Sequence, residues 1–283
     1  AADRHSRPAL PESAVVSTGL HLLLIDPQND FCDLPGAALP VTGADADLTR
    51  VATLVDRLGA RLDQIHVTLD SHQPVDIAHP VWWCNADGEA PAPFTLITVR
   101  DVESGLWRAR DPQQQAHSVD YVRALATRAR HALVIWPEHC LIGGWGHQLH
   151  AGCATALQAW GRQTLRTVDY VFKGMNPGTE HYSALCAEVP DPADPGTRPD
   201  PAWIARLAGA DTLLIAGQAL SHCVASTVRD LADALGDASR LLLLDDCSSP
   251  VAGFEALGRE FVDEMVARGM RVERSDRVQR QAA

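Results

Sequence analysis

No Cys-x-x-Cys pair occurs among the seven cysteines (Cys32, Cys84, Cys140, Cys153, Cys186, Cys223 and Cys247), so neither a disulfide framework nor a thiolate zinc site is suggested. Because the number is odd, at least one thiol stays unpaired within a chain. No segment approaches the ~18 consecutive apolar residues that a membrane span requires, and residues 1–18 lack an apolar run of signal-peptide length. These absences point to a soluble, cytoplasmic protein. Cations are also scarce: 24 Lys and Arg face 36 Asp and Glu, a formal charge of −12. A nucleic-acid backbone or an anionic membrane surface would be repelled, and a small-molecule partner fits better. Neither an internal repeat nor a low-complexity tract is evident.

What is present is a chain of 283 residues, 46% hydrophobic, long enough to bury a sizeable core. It reads as one domain, 1–283, with an insertion. Short apolar runs at 21–25, 64–69, 133–136, 164–171, 212–216 and 240–244 look like buried strands. Apolar residues at 3- and 4-residue spacing predict helices over 46–62, 224–235 and 254–268. Strands alternating with helices imply an α/β fold, a three-layer α/β/α sandwich with a mostly parallel central sheet. In such a sheet catalytic groups gather beyond the carboxyl ends of the strands. Two stretches interrupt the alternation. Residues 81–130, opening with Trp82 and Trp83, read as an insertion or cap with a strand at 94–100 and a helix over about 113–130; 190–201, with five prolines, reads as an irregular surface loop.

Four groups could carry chemistry. Cys223 follows an apolar strand and a small-residue turn and opens a helical pattern; a thiol there sees unpaired N–H groups and partial positive charge, which favour thiolate. An arbitrary cysteine is far more often an inert buried one. Asp26 ends the apolar run 21–25 and precedes a proline; if burial raises its pKa it can exchange a proton with a thiol, although a strand-end cap is an equally good account of it alone. Asp30 reads as a turn or cap residue. Lys173 follows another apolar run and precedes a glycine, placed to stabilise both charges, whereas most lysines are solvated. Asp70 and His72, then His79, and later His139 in Trp136-Pro-Glu-His-Cys offer a mixed O/N set for Zn²⁺, Fe²⁺ or Mn²⁺. Most of the 12 histidines, including His5, His117, His131 and His150, are read as surface or hydrogen-bonded.

Taken together and in order, Asp26-Pro-Gln-Asn-Asp-Phe31, Lys173-Gly-x-Asn-Pro and Gly217-x-Ala-x-x-His-Cys223-Val resemble the nicotinamidase branch of the isochorismatase-like cysteine hydrolases. The resemblance covers 20–80 and 133–272. It implies Cys223 as nucleophile, Asp26 as proton carrier, Lys173 beside both, and an oxyanion hole from the Ala219 and Cys223 N–H groups with a cis bond at Gln218–Ala219. It also implies a divalent metal on Asp70, His72 and His139, with His79 near the place of a further ligand, and a pyridine ring between Phe31 and Trp136. The activity implied is conversion of nicotinamide or a related aromatic carboxamide to the acid and ammonia through a thioester, with the metal orienting the ring nitrogen. Oligomers are common in the family. Two departures bear on the substrate: the insertion follows the metal-binding segment directly, and Gly143-Gly-Trp-Gly146 replaces Gly-Thr-x-Gly, while Glu180-x-Tyr-Ser183 keeps the pattern. The alternatives are an amidase or carbamoyl hydrolase of the same family acting on a different amide, or a relative that binds metal or ligand without turnover.

Overall fold

The computed structural model describes residues 19–128 and 132–278; the stretch 1–18, with His5, lies outside them, as does His131. In chain order the elements are β1 (Gly19–Ile25), α1 (Ala44–Leu58), β2 (Gln64–Asp70), β3 (Trp83–Cys84), β4 (Leu96–Ile97), α2 (Val99–Glu103), β5 (Arg108–Ala109), α3 (Gln115–Arg128), β6 (Leu133–Val134), α4 (Ala151–Thr164), β7 (Asp169–Lys173), α5 (Pro201–Ala208), β8 (Ala210–Gly217), α6 (Ala225–Leu235), β9 (Leu241–Leu244), α7 (Glu255–Ala267) and β10 (Arg271–Glu273). Six strands form one parallel sheet in the order β10-β9-β8-β1-β2-β7.

Successive residues of a strand face opposite sides of a sheet, and β1 divides its apolar residues accordingly. Leu22 and Leu24 pack with Leu48, Val51 and Val55 of α1 and Leu157 and Trp160 of α4, whereas Leu23 and Ile25 join Val228 of α6 and Phe261 and Met265 of α7. The fold is therefore the three-layer sandwich expected from the alternation of elements. Each fully buried Leu or Ile contributes ~1.5–3 kcal/mol, so the all-apolar 22–25 run anchors both layers at once. Among the described residues no helix is long and apolar enough to cross a membrane.

Some expected elements differ. The run 133–136 gives only β6, which pairs antiparallel with β4 outside the central sheet. The strand expected at 94–100 stops at Ile97 because Thr98 and Asp101 form a reciprocal capping box that starts α2. The strand expected at 164–171 begins only at Asp169, since α4 runs to Thr164 and Leu165 closes it in the left-handed conformation. α4 and α5 were not anticipated; α5 starts inside the proline-rich stretch, where Asp200 caps it and Pro201 occupies its first turn. Residues of 81–130 share the core on the α6/α7 side, with Trp83, Ile97, Tyr121 and Leu125 among its members.

Candidate active site and metal-binding cluster

Four parallel strands deliver their carboxyl ends to one rim. Asp26 follows β1, Asp70 ends β2, Lys173 ends β7, and β8 leads through Gly217 and the cis Gln218–Ala219 bond to Cys223. Gly217 has φ +117, and a Cβ there would run into the backbone of Ile25, so only glycine permits this close approach of β8 to β1. Cys223 lies in a π-helical turn, Leu220–Val224, that runs directly into α6.

The Lys173 ammonium lies 2.9 Å from Asp26 Oδ2, 2.8 Å from Asp70 Oδ1 and 3.6 Å from Cys223 Sγ. All four residues are at most 6% exposed. Thr68, which the sequence reading did not single out, donates its hydroxyl to Asp26 Oδ1 at 2.5 Å and accepts the Asp26 N–H at 3.1 Å. Burial pushes the Asp26 carboxyl above its usual range, and Lys173 offsets this only in part. The Cys223 thiol is also pushed up, first by burial, with Lys173 acting against it. The expected helix-terminus depression of the thiol pKa is thus outweighed by desolvation, so the thiol rests neutral beside the Asp26 carboxyl. Lys173 is held well above its ordinary value: burial opposes the charge, but Asp26 and Asp70 outweigh it.

Gln28 and Asp30 of the Asp26-Pro-Gln-Asn-Asp-Phe31 segment are scaffolding. Gln28 exchanges two hydrogen bonds of 2.7 Å with the main chain of Asp70, fixing the two strand ends against each other. Asp30 accepts the N–H groups of Ala38 and Cys140, tying two loops as a turn-stabilising residue does.

Asp70 also belongs to a second cluster. One oxygen of Asp70 and one nitrogen each of His72 and His139 lie within 4.8 Å of one another. Nδ1 of His72 faces Asp76 Oδ2 at 3.0 Å, Nδ1 of His79 faces the Pro74 carbonyl at 3.2 Å, and Nδ1 of His139 faces the Pro137 carbonyl at 2.8 Å. When Nδ1–H donates to these oxygens, Nε2 is the ring nitrogen left to face a cation, in His72 once a cation displaces the proton that Asp70 and Asp76 favour. His79 Nε2 is buried and makes no hydrogen bond, and burial, then His139, lowers His79 to about 4, so the ring is neutral and able to ligate. Its ring sits 5.2 Å from that of His72 and 5.5 Å from that of His139, beside the three-residue set rather than within it. Although burial opposes charge on both, His72 and Lys173 hold Asp70 well below the carboxylate range, and Asp70 and Asp76 hold His72 well above the histidine range. A carboxylate with two or three imidazoles fits Zn²⁺, Fe²⁺ or Mn²⁺.

Between the two clusters is a cavity of about 20 Å³ lined by Phe31, Leu39, Asp70, Trp136, His139, Glu180, Tyr182, Ala219, His222, Cys223 and Val251. Phe31 and Trp136, both singled out from sequence, are here, as is His222 of the Gly217-x-Ala-x-x-His-Cys223-Val motif; Leu39 and Val251 come from segments without a recognisable signature of their own. Trp136 donates its indole N–H to Tyr182 Oη at 2.9 Å and meets the His222 ring edge-on. Gly146, in the segment replacing Gly-Thr-x-Gly, abuts the Asp30 carboxylate, leaving no room for a side chain.

No family model matches the chain. A curated nicotinamidase of Acinetobacter baylyi is 26% identical over 229 residues, 81% of this chain and 80% of that protein. Three solved structures are similar. The yeast nicotinamidase bound to the inhibitor nicotinaldehyde has a TM-score of 0.63 at 21% identity, covering 90% of this chain and 99% of that one. A nicotinamidase/pyrazinamidase of Acinetobacter baumanii gives 0.62 at 20% identity, covering 92% and 97%. The pyrazinamidase of Pyrococcus horikoshii in complex with zinc gives 0.53 at 20% identity, covering 90% and 98%. The chain shares the isochorismatase-like fold of these nicotinamidases and pyrazinamidases, and its resemblance to the nicotinamidase branch, carried first by three short motifs, extends over 81% of its length.

Proposed function

We propose that the protein is a metal-dependent cysteine amidohydrolase of nicotinamidase type, converting nicotinamide or a related aromatic carboxamide to the acid and ammonia. The observation that carries this reading is the buried contact of Lys173 Nζ with Asp26 at 2.9 Å and with Cys223 Sγ at 3.6 Å, Cys223 itself lining the cavity. Asp26, with its raised pKa, takes the Cys223 proton as sulfur attacks the carboxamide carbon. The carbonyl oxygen becomes an oxyanion held by the Ala219 and Cys223 N–H groups. Its collapse breaks the C–N bond, and Asp26 returns the proton to the departing nitrogen as ammonia. Water then attacks the thioester, giving its proton to Asp26, and the acid leaves with the thiol restored. Throughout, the Lys173 ammonium offsets whichever of Asp26 and Cys223 carries the negative charge.

Asp70, His72 and His139 would hold the divalent cation, with His79 alongside. The cation supplies an electrophilic centre for the lone pair of a ring nitrogen, which fixes the substrate's orientation. Phe31 and Trp136 supply apolar faces for the ring. A planar ring enters the compact cavity only if lining side chains move apart, and Leu39 and Val251 are aliphatic members of that lining. The chain is read as one domain with residues 81–130 inserted as a cap, working in the cytoplasm on a small molecule.

The test is ammonia release from nicotinamide by the parent protein and by Cys223→Ala. The substitution removes only a sulfur, so circular dichroism should be unchanged while turnover disappears. Turnover retained by the variant overturns the reading.

A further inference from the structure

Glu180 is a carboxyl on the cavity wall for which the reaction above has no use. It is 4% exposed and lines the same space as Trp136, Tyr182 and Cys223. Its Oε1 accepts the His181 N–H at 2.8 Å, whereas its Oε2 is buried and has no hydrogen-bond partner among the described residues. The main chain of the residue is held at both ends: the Glu180 N–H donates to Tyr121 Oη at 3.0 Å, and its carbonyl accepts the Glu188 N–H at 2.8 Å. Tyr121 is 2% exposed and belongs to α3. Helix α3 therefore buttresses a pocket carboxyl.

A buried acceptor left unpaired is costly, and one that faces a ligand cavity is a place where a ligand's donor can complete it. Resting on the amide-hydrolysing reading, we propose that Glu180 is a specificity-determining residue and that the site takes ring carboxamides bearing an N–H or O–H donor besides the amide itself. The carboxamide end lies at Cys223, and the ring's amino or hydroxyl group donates to Glu180 Oε2. A site built around such a bond discriminates strongly against the analogue lacking the donor.

The experiment compares kcat/KM for nicotinamide with that for the positional isomers of its ring-amino and ring-hydroxy derivatives, in the parent and in Glu180→Gln. In the parent, the best-fitting donor-bearing isomer should exceed nicotinamide by about tenfold or more. The isosteric glutamine keeps its Oε1 on the His181 N–H and so presents an NH₂ group where the parent presents an acceptor. Donor then meets donor, and the advantage should disappear through a rise in KM for the substituted amide. Tyr121→Phe, which removes the acceptor holding the Glu180 N–H, should diminish the advantage in the same direction. A parent that treats all isomers no better than nicotinamide, or a preference unchanged in Glu180→Gln, overturns the inference while amide hydrolysis stands. Ammonia from none of the amides overturns both.

Discussion

Lys173 is the only lysine in the chain; the rest of its 24 Lys and Arg residues are arginine. The distinction is physical, because an ammonium is a compact point charge that can lie within 3 Å of two carboxylates and still reach a sulfur, where a planar guanidinium would need more room. Removing it leaves Asp26 and Asp70 buried with no ammonium between them. Breaking a buried ion pair in this way costs about 3–5 kcal/mol, so Lys173→Met should lower unfolding stability in urea by about that amount and should also lose turnover. A variant as stable as the parent would show that the carboxylates are satisfied by other means. The importance of Lys173 was readable from its neighbours in sequence, an apolar run before it and a glycine after. Thr68 was not readable as a site residue, because a threonine inside a strand looks the same whether or not a carboxylate lies opposite, and Glu180 was legible only as a member of Glu180-x-Tyr-Ser183, which does not tell that a cavity lies opposite.

The loop that follows β2 does for the histidines what the strands do for the triad. Between Ser71 and Pro80 it turns on itself so that Asp76 accepts the Ala78 N–H at 2.9 Å with one oxygen and faces His72 Nδ1 at 3.0 Å with the other. Asp76 is fully buried, so this contact fixes both the tautomer and the orientation of His72. Partners of this kind change metal affinity by about 10–100-fold. Asp76→Asn, which keeps the shape and loses the charge, should weaken Zn²⁺ binding by a factor in that range, read as a smaller Zn²⁺-induced rise in Tm. An undiminished rise would mean that Asp76 does not orient the ligand. The ligand spacing Asp70-x-His72 was legible because strand ends have fixed geometry, but the role of Asp76 depends on a turn that only three dimensions reveal. The same holds for helices: α2 and α5 were hidden within an apolar run and a proline-rich stretch, although Thr98-x-x-Asp101 and Asp200-Pro201 carried their capping signals.

The molecule divides its polar groups between the two ends of one sheet. At the carboxyl ends they form the site; toward the amino ends another polar chain crosses three strands, and no reaction step uses it. His21 Nδ1 of β1 meets His66 Nε2 of β2 at 3.2 Å, His66 Nδ1 meets Asp169 Oδ2 of β7 at 2.8 Å, and Arg206 of α5 closes the chain on Asp169 at 3.0 Å. The apolar runs placed β1 and β2 and caught β7 only in part, beginning it five residues early, and they could not show that polar residues of adjacent strands would line up. Burial first, then His66, lowers His21 to about 4, with Asp63 and Asp211 pulling the other way. In the unfolded chain the same group takes its proton near pH ~6.5. As pH falls from about 6.5 to about 4 the unfolded state therefore binds a proton that the folded state refuses, and stability declines through that window and levels off below it. One such group contributes up to ~1.4 kcal/mol per pH unit. His21→Leu should flatten the stability–pH curve by about that slope between those limits while leaving ammonia release untouched, since the substitution lies at the opposite end of the sheet from Cys223. Parallel curves for variant and parent, measured by urea unfolding across the window, would show that the buried histidine is not what makes the fold acid-sensitive.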